Sequence, residues 1–267
     1  MKHLRELTGA GVMECRRALS ECNEDVAAAE AWLKERNKAV ARSKSSRAAD
    51  AGLVGVLIAP DMHRGALAAV RVETDFVARN GEFQAAVRAV AGKVLGGEPV
   101  GAGDVLDVAA KVRENVVLGE TATLEVAPGP GNAVGAYVHN RLGDGVGTIA
   151  ALAAVEGAKS ADDARELAYR LALHVVAANP AYASREDVPA DVRAAEEAKI
   201  RLDPAVAGKP ANVQANVVKG KLQKFFAEVC VLDQAVQVGE LEGTPIKDLL
   251  KGATLKGFKR VQIAGSK

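Results

Sequence analysis

Residues 72–80, Val72-Glu73-Thr74-Asp75-Phe76-Val77-Ala78-Arg79-Asn80, decide how the chain is read. The apolar run Gly65 to Val72 before them has the composition of a strand. Asn80-Gly81-Glu82-Phe83-Gln84 after them reads as a helix entrance. Asp75 and Phe76 therefore stand at a strand-to-helix corner, and such corners lie at the surface and often carry function. The chain has only five Phe in 267 residues. Composition alone favours Phe76 folding back as a core anchor. The competing reading makes it the hot spot of a protein interface, with Asp75 as its polar neighbour.

Outward from the corner, Leu53–Ile58 and Ala66–Val72 flank a turn-rich segment, 60–65, and predict a β-hairpin. His63 falls at its tip and reads as an exposed histidine without a role. Phe83, Val87, Val90 and Val94 recur on one face of the helix that follows, which Gly96-Gly97-Glu98-Pro99 stops. A second amphipathic helix is expected over 104–118 and a strand over Thr121–Val126. Val134–His139 and Val146–Val155, around the turn 140–145, predict a second hairpin, with His139 and Leu142 flanking that turn. An apolar helix over 160–178 follows, ended by Asn179-Pro180. Hairpin plus helix thus occurs twice, at 53–95 and 134–178, which implies two related α+β subdomains rather than one continuous sheet.

The ends read differently. Val12, Cys15, Leu19 and Cys22, then Val26, Ala29 and Leu33, fall at helical spacing, with Asn23-Glu24-Asp25 as a helix start and Thr8-Gly9-Ala10-Gly11 as a turn. Residues 38–51 read as a basic, solvated linker. Residues 187–230 predict two antiparallel helices, one carrying Val192, Ala195, Ala198 and Leu202, the other Val218, Leu222, Phe225 and Val229. A short helix at Pro245–Leu250 and a strand at Phe258–Ile263 close the chain.

A net charge of +1 gives no bulk attraction to nucleic acid or membrane. Aromatics at 3% are too few for base-stacking platforms. No apolar run reaches membrane-spanning length, and no signal peptide is expected at Met1-Lys2-His3-Leu4-Arg5. Cys15, Cys22 and Cys230 show no zinc spacing and read as free thiols in a reducing cytoplasm. No Gly-x-Ser-x-Gly, His-Glu-x-x-His, Cys–His or Walker pattern is present. Asp75 read as a general base lacks the rest of a catalytic constellation in the sequence around it. The chain therefore reads as a binding protein rather than an enzyme, with no cofactor and no metal.

The segment VRVETDFVARNGEF at 70–83 resembles the central signature of the bacterial elongation factor Ts family. LRELTGAGVMECRRALSECNEDVAAAEAWLKERN at 4–37 is similar to that family's first signature. Gly208-Lys209-Pro210 and VVKGKLQKFFAEVCVLDQ at 217–234 are similar to its C-terminal half. Arg113 stands where the family's pattern has a glycine. Some members carry more residues ahead of the first helix and a further C-terminal helical module, and both are expected to be missing here.

The resemblance implies a nucleotide exchange factor for the GTPase elongation factor Tu. It implies an α+β fold: an N-terminal three-helix, ubiquitin-associated-like docking domain with its linker at 1–50, a core subdomain at 51–133, and a second at 134–182 and 231–267. A helical hairpin inserted at 183–230 would serve dimerisation or a distal contact with the GTPase, so the residues leave a homodimer open. It further implies that Asp75 and Phe76, with Thr74 and Val77 setting the corner, wedge into the GTPase and disturb its Mg²⁺ site. Asn80, His139, Leu142, Val12 and Met13 become secondary contacts. An RNA- or ribosome-associated protein using Lys219, Lys221, Lys224 and the tail lysines is the alternative.

Overall fold

The computed structural model describes residues 1–8 and 10–263. The turn expected at 8–11 and the tail's Lys267 lie in part or wholly outside them. Three helices open the chain: α1 Lys2–Thr8, α2 Val12–Glu21 and α3 Val26–Ser43. Cys15, Ala18, Leu19, Ala29 and Leu33 meet in their small core, capped by Leu4. The cap of α3 is Asp25, whose Oδ1 accepts from Ala27 N at 2.9 Å and Ala28 N at 3.1 Å. Asn23 and Glu24 instead take left-handed backbone, with φ of 53° and 62°. Val12 and Val26 do not join the inward stripe; each is 46% exposed.

The first part of the expected linker, residues 38–43, is helix. α3 runs on to Ser43, Ala41 is buried against the neighbouring core, and Lys38 Nζ pairs with Asp107 Oδ1 at 3.0 Å. A helix that carries a buried position and a long-range ion pair is docked, not solvated.

Strands β1 Ala51–Ile58 and β2 Arg64–Val72 form the first hairpin, followed by α4 Asp75–Ala78, α5 Gly81–Gly96, α6 Gly103–Val112 and β3 Val116–Glu125. α6 is shorter than expected because Arg113 takes left-handed backbone, φ 58°, and stops it. β3 accordingly begins at Val116 and pairs with β2. His63 is half-buried at the hairpin turn, its Nε2 3.2 Å from Gly129 N, rather than exposed.

β4 Ala133–His139, β5 Val146–Gly147 and β6 Ile149–Glu156 replace the second expected hairpin. The run 146–155 divides at Thr148. β5 joins β1 of the first sheet, whereas β6 lies between β4 and the later β7, Thr254–Gln262. Gly147 permits the crossing, since a Cβ there would lie 2.4 Å from the His139 carbonyl oxygen. The two sheets, β3-β2-β1-β5 and β4-β6-β7, are antiparallel throughout.

Period-two alternation explains the layering. In β2, Ala66, Ala68, Val70 and Val72 face α5 and α6, while Leu67 and Ala69 face the second sheet. In β6, Ala150, Leu152 and Ala154 face the first sheet, while Ala151, Ala153 and Val155 face α7, Ala161–Ala178. The order is helices, sheet, sheet, helix. Small residues let α7 lie close to β4: a Cβ on Gly135 would sit 2.5 Å from the Ala168 backbone.

α8 Ala190–Leu202, α9 Pro204–Ala207 and α10 Ala211–Val229 form a projecting helical pair with two small apolar clusters. On α10, Val218 is buried and Leu222, Phe225 and Val229 are partly buried, as their spacing predicts. On α8 the inward residues are Val192 and Ile200; Ala195 and Ala198 are exposed and Leu202 is 79% exposed. Alanines give a stripe too little apolar area to decide which face turns inward. α11 Ile246–Leu250 leads into β7, which begins at Thr254, earlier than expected.

Candidate functional site

The corner is a single helical turn held out from the first sheet. Phe76 is 81% exposed, the most exposed of the large apolar side chains among the described residues. Its neighbours explain how an apolar ring is kept there. Ala78 is buried at 3% and Val77 packs partly on the core of α5, so the turn is anchored by its other face. Asp75 is also exposed, with Oδ2 3.7 Å from Arg79 Nη2.

Polar contacts fix both ends of the turn. Thr74 donates from N and Oγ1 to the Glu114 carboxylate, at 3.0 and 2.7 Å. Asn80 Oδ1 accepts from Glu82 N at 2.8 Å and Phe83 N at 3.3 Å, which caps α5 immediately after the turn. Gln84 Nε2 lies 3.4 Å from the carbonyl oxygens of Ala78 and Arg79.

A cleft of about 580 Å³ brings the corner and the second loop together; Asp50, Glu73, Asp75, Arg79, Asn140 and Leu142 lie on its walls. Leu142 is 38% exposed. Its loop is fixed to the same frame as the corner: Val56 N donates to Gly145 O at 2.8 Å, and Arg88 Nη1 on α5 donates to Asp144 O at 3.3 Å. His139, exposed at the end of β4, stands beside Tyr137 with ring centroids 6.4 Å apart. It is not among the residues that line the cleft. Val12 and Met13 lie apart on α2, where Met13 is 73% exposed.

The sequence reading missed Glu73, Glu114, Asp50 and Arg79 as site residues. Glu114 sits forty positions from Thr74 in the chain, and only the β2–β3 pairing brings them together. Its one local sign is the Glu114-Asn115 pair beside the position where Arg113 replaces a glycine.

Among the described residues no three His, Cys, Asp or Glu side chains are grouped to hold a metal, and no helix is long and apolar enough to cross a membrane. Fold and site define an α+β protein with an exposed aromatic corner beside a cleft walled by both charged and apolar residues. The family model for Elongation factor TS matches residues 73–264. Elongation factor Ts of Sphingopyxis alaskensis is 39% identical over 98% of this chain and 91% of its own length. Those of Brucella anthropi and Zymomonas mobilis are 38% and 37% identical, over 96% and 98% of this chain and 84% and 91% of their own lengths. The chain belongs to the elongation factor Ts family.

Proposed function

We propose that the chain is a guanine nucleotide exchange factor that binds elongation factor Tu and promotes release of its GDP. The observation that carries this reading is Phe76, an apolar ring 81% exposed on a turn clamped at both ends. Exposed apolar area of that size is unfavourable in the free protein and becomes favourable when a partner covers it.

Exchange requires no covalent chemistry. The factor binds the nucleotide-free GTPase more tightly than the GDP-bound form, and by linkage it weakens GDP binding by the same factor. Each tenfold requires about 1.4 kcal/mol of differential contact. Burying one Phe supplies roughly 1.5–3 kcal/mol, so Phe76 accounts for one to two decades and other contacts for the rest. Phe76 enters the GTPase, and Asp75 beside it disturbs the segment that organises Mg²⁺. Leu142 presses from within the cleft, and His139, outside it at the end of β4, adds a further contact. Residues 1–50 dock through Val12 and Met13, and the helical pair within 183–230 serves a distal contact or a second copy of the chain. GDP and Mg²⁺ belong to the partner.

Of the lysines an RNA-binding role would use, Lys221 is already paired with Asp203, which weakens that alternative. The test is stopped-flow release of fluorescent GDP from elongation factor Tu. The wild-type chain accelerates release, and Phe76→Ala reduces the acceleration about tenfold or more, the 1.4 kcal/mol scale of one partly lost aromatic contact. No acceleration by the wild-type chain would overturn the reading; RNA binding with a steep salt dependence would then take its place.

A further inference from the structure

We propose that Glu114 is a positioning residue for Phe76, acting through Thr74 to hold the corner in the conformation that enters the partner. This rests on the wedge reading above. A helical turn of four residues is far below the length at which a helix holds itself. Its two i→i−4 bonds are long: Ala78 N to Thr74 O is 3.4 Å and Arg79 N to Asp75 O is 3.2 Å; the bond of ordinary length, Asn80 N to Val77 O at 2.9 Å, closes only its end. Thr74 occupies the cap position, yet its side chain takes no N–H of the turn. Both of its donors go instead to the Glu114 carboxylate. Bonds to an ionised acceptor are stronger than neutral ones, so the residue that starts the turn is held from outside it.

The same short connection holds more than the corner. Asn115 N donates to Glu73 Oε1 at 2.6 Å, and Asn115 Nδ2 donates to the Arg47 carbonyl oxygen at 2.6 Å. Arg47 Nη1 lies 3.5 Å from Glu73 Oε2. Arg113 Nη2 reaches Glu14 Oε2 on α2 at 3.1 Å, and Lys44 Nζ donates to the Arg113 carbonyl oxygen. Residues 113–115 therefore tie the corner to the N-terminal helices at one place. Freed of Glu114, Thr74 and the turn sample other conformations, and ordering them at the moment of binding costs affinity for the state in which Phe76 is inserted.

The experiment measures GDP release from elongation factor Tu across a range of factor concentrations, for the wild-type chain, Glu114→Ala, Glu114→Gln, Phe76→Ala and the Glu114→Ala/Phe76→Ala double variant. Glu114→Ala lowers the maximal acceleration severalfold, with the half-saturating concentration changed less. Glu114→Gln recovers most of it, because its amide oxygen accepts the Thr74 N–H and its NH₂ donates to Oγ1. In the Phe76→Ala background Glu114→Ala has no further effect, the non-additivity expected of residues that act as one unit.

An additive loss in the double variant would overturn the proposal, since Glu114 would then act on the fold at large. Full activity of Glu114→Ala beside an impaired Phe76→Ala would leave the wedge standing and remove Glu114 from it. Full activity of Phe76→Ala would overturn both. Should Glu114→Ala fail to fold, Thr74→Val removes only the Oγ1 bond. It then shows the smaller, equally non-additive loss, or its full activity overturns the proposal.

Discussion

In each half of the core an antiparallel strand pair leads into a helix that packs on it, β1-β2 into α5 and β4-β6 into α7, and the joints before those helices differ. In the first, β2 ends at Val72 and α5 starts at Gly81; in the second, β6 ends at Glu156 and α7 starts at Ala161. The second joint, Gly157-Ala158-Lys159-Ser160, carries no helical turn of its own: it bonds to the 131–132 loop through Gly157 N and Ala158 N and caps α7, where Ser160 Oγ accepts from Asp163 N at 3.1 Å. The first joint is longer and holds α4, which carries Phe76 outward while Asn80 performs the capping. A helical turn stands where the other half has a plain connection. The core beneath it is undisturbed, because the turn is anchored by one buried alanine and by side-chain hydrogen bonds. An exposed turn can thus sit at a joint at little cost to the packing on either side.

The sharpest way to break this comparison uses two phenylalanines seven positions apart. Phe83 is fully buried under the first sheet, so Phe83→Ala is expected to cost about 3–5 kcal/mol of stability, measured by urea unfolding. Phe76→Ala changes stability by less than about 0.5 kcal/mol, as exposed positions do, while removing most of the exchange activity. A large stability loss from Phe76→Ala would mean that the corner belongs to the core after all.

A second difference lies in titration. His174 on α7 is fully buried in the second half, with Nε2 2.8 Å from Gln234 Oε1 and Nδ1 without a partner. Burial lowers its pKa below the ordinary histidine value, and the Gln234 bond opposes this in part. The unfolded chain therefore takes up a proton near pH 6.5 while the folded chain does not. Stability falls as pH drops below about 6.5, by at most about 1.4 kcal/mol per pH unit for one proton. The fall ends once the folded-state pKa is passed. Thermal melts between pH 5 and 8 measure this, and His174→Gln flattens that part of the profile.

The caps supply a matched pair of smaller effect. Asn80→Ala and Ser160→Ala each remove a helix cap, worth about 1 kcal/mol by chemical denaturation. Only Asn80→Ala also reduces GDP release, because α4 and α5 meet at Asn80. Equal effects on release would erase the distinction between the joints. The smallest effect concerns Cys230, whose thiol burial pushes up to about 11. Native protein at pH 8 is expected to show no alkylation at Cys230, checked by mass spectrometry, and unfolded protein shows it readily.

Much of the fold was legible because its signals are local. Phe83, Val87, Val90 and Val94 declare the buried face of α5 by spacing alone, and all four are buried. The strand at 146–155 was legible as a strand but not as two. Its division at Thr148 depends on which neighbours compete for its hydrogen bonds, and β1 and β7 lie far away in the chain. α6 was drawn too long because Arg113 in left-handed backbone gives no compositional sign of a helix end, as a glycine would. On α8, Val192 of the expected face turns inward, but Ala195, Ala198 and Leu202 are exposed, and Ile200, off that face, is buried against Val206 and Val218.

By itself the sequence determined the family, the longer strands and helices, and the corner at Asp75–Phe76, since each is written in contiguous residues or in their period. Only the tertiary structure decided that Phe76 points outward, that Leu142 shares a cleft with Asp75, and that Glu114 holds Thr74. Composition favours burial for any phenylalanine. Exposure at this one follows from anchoring contacts made by residues that meet only when β3 pairs with β2 and α5 packs beneath them.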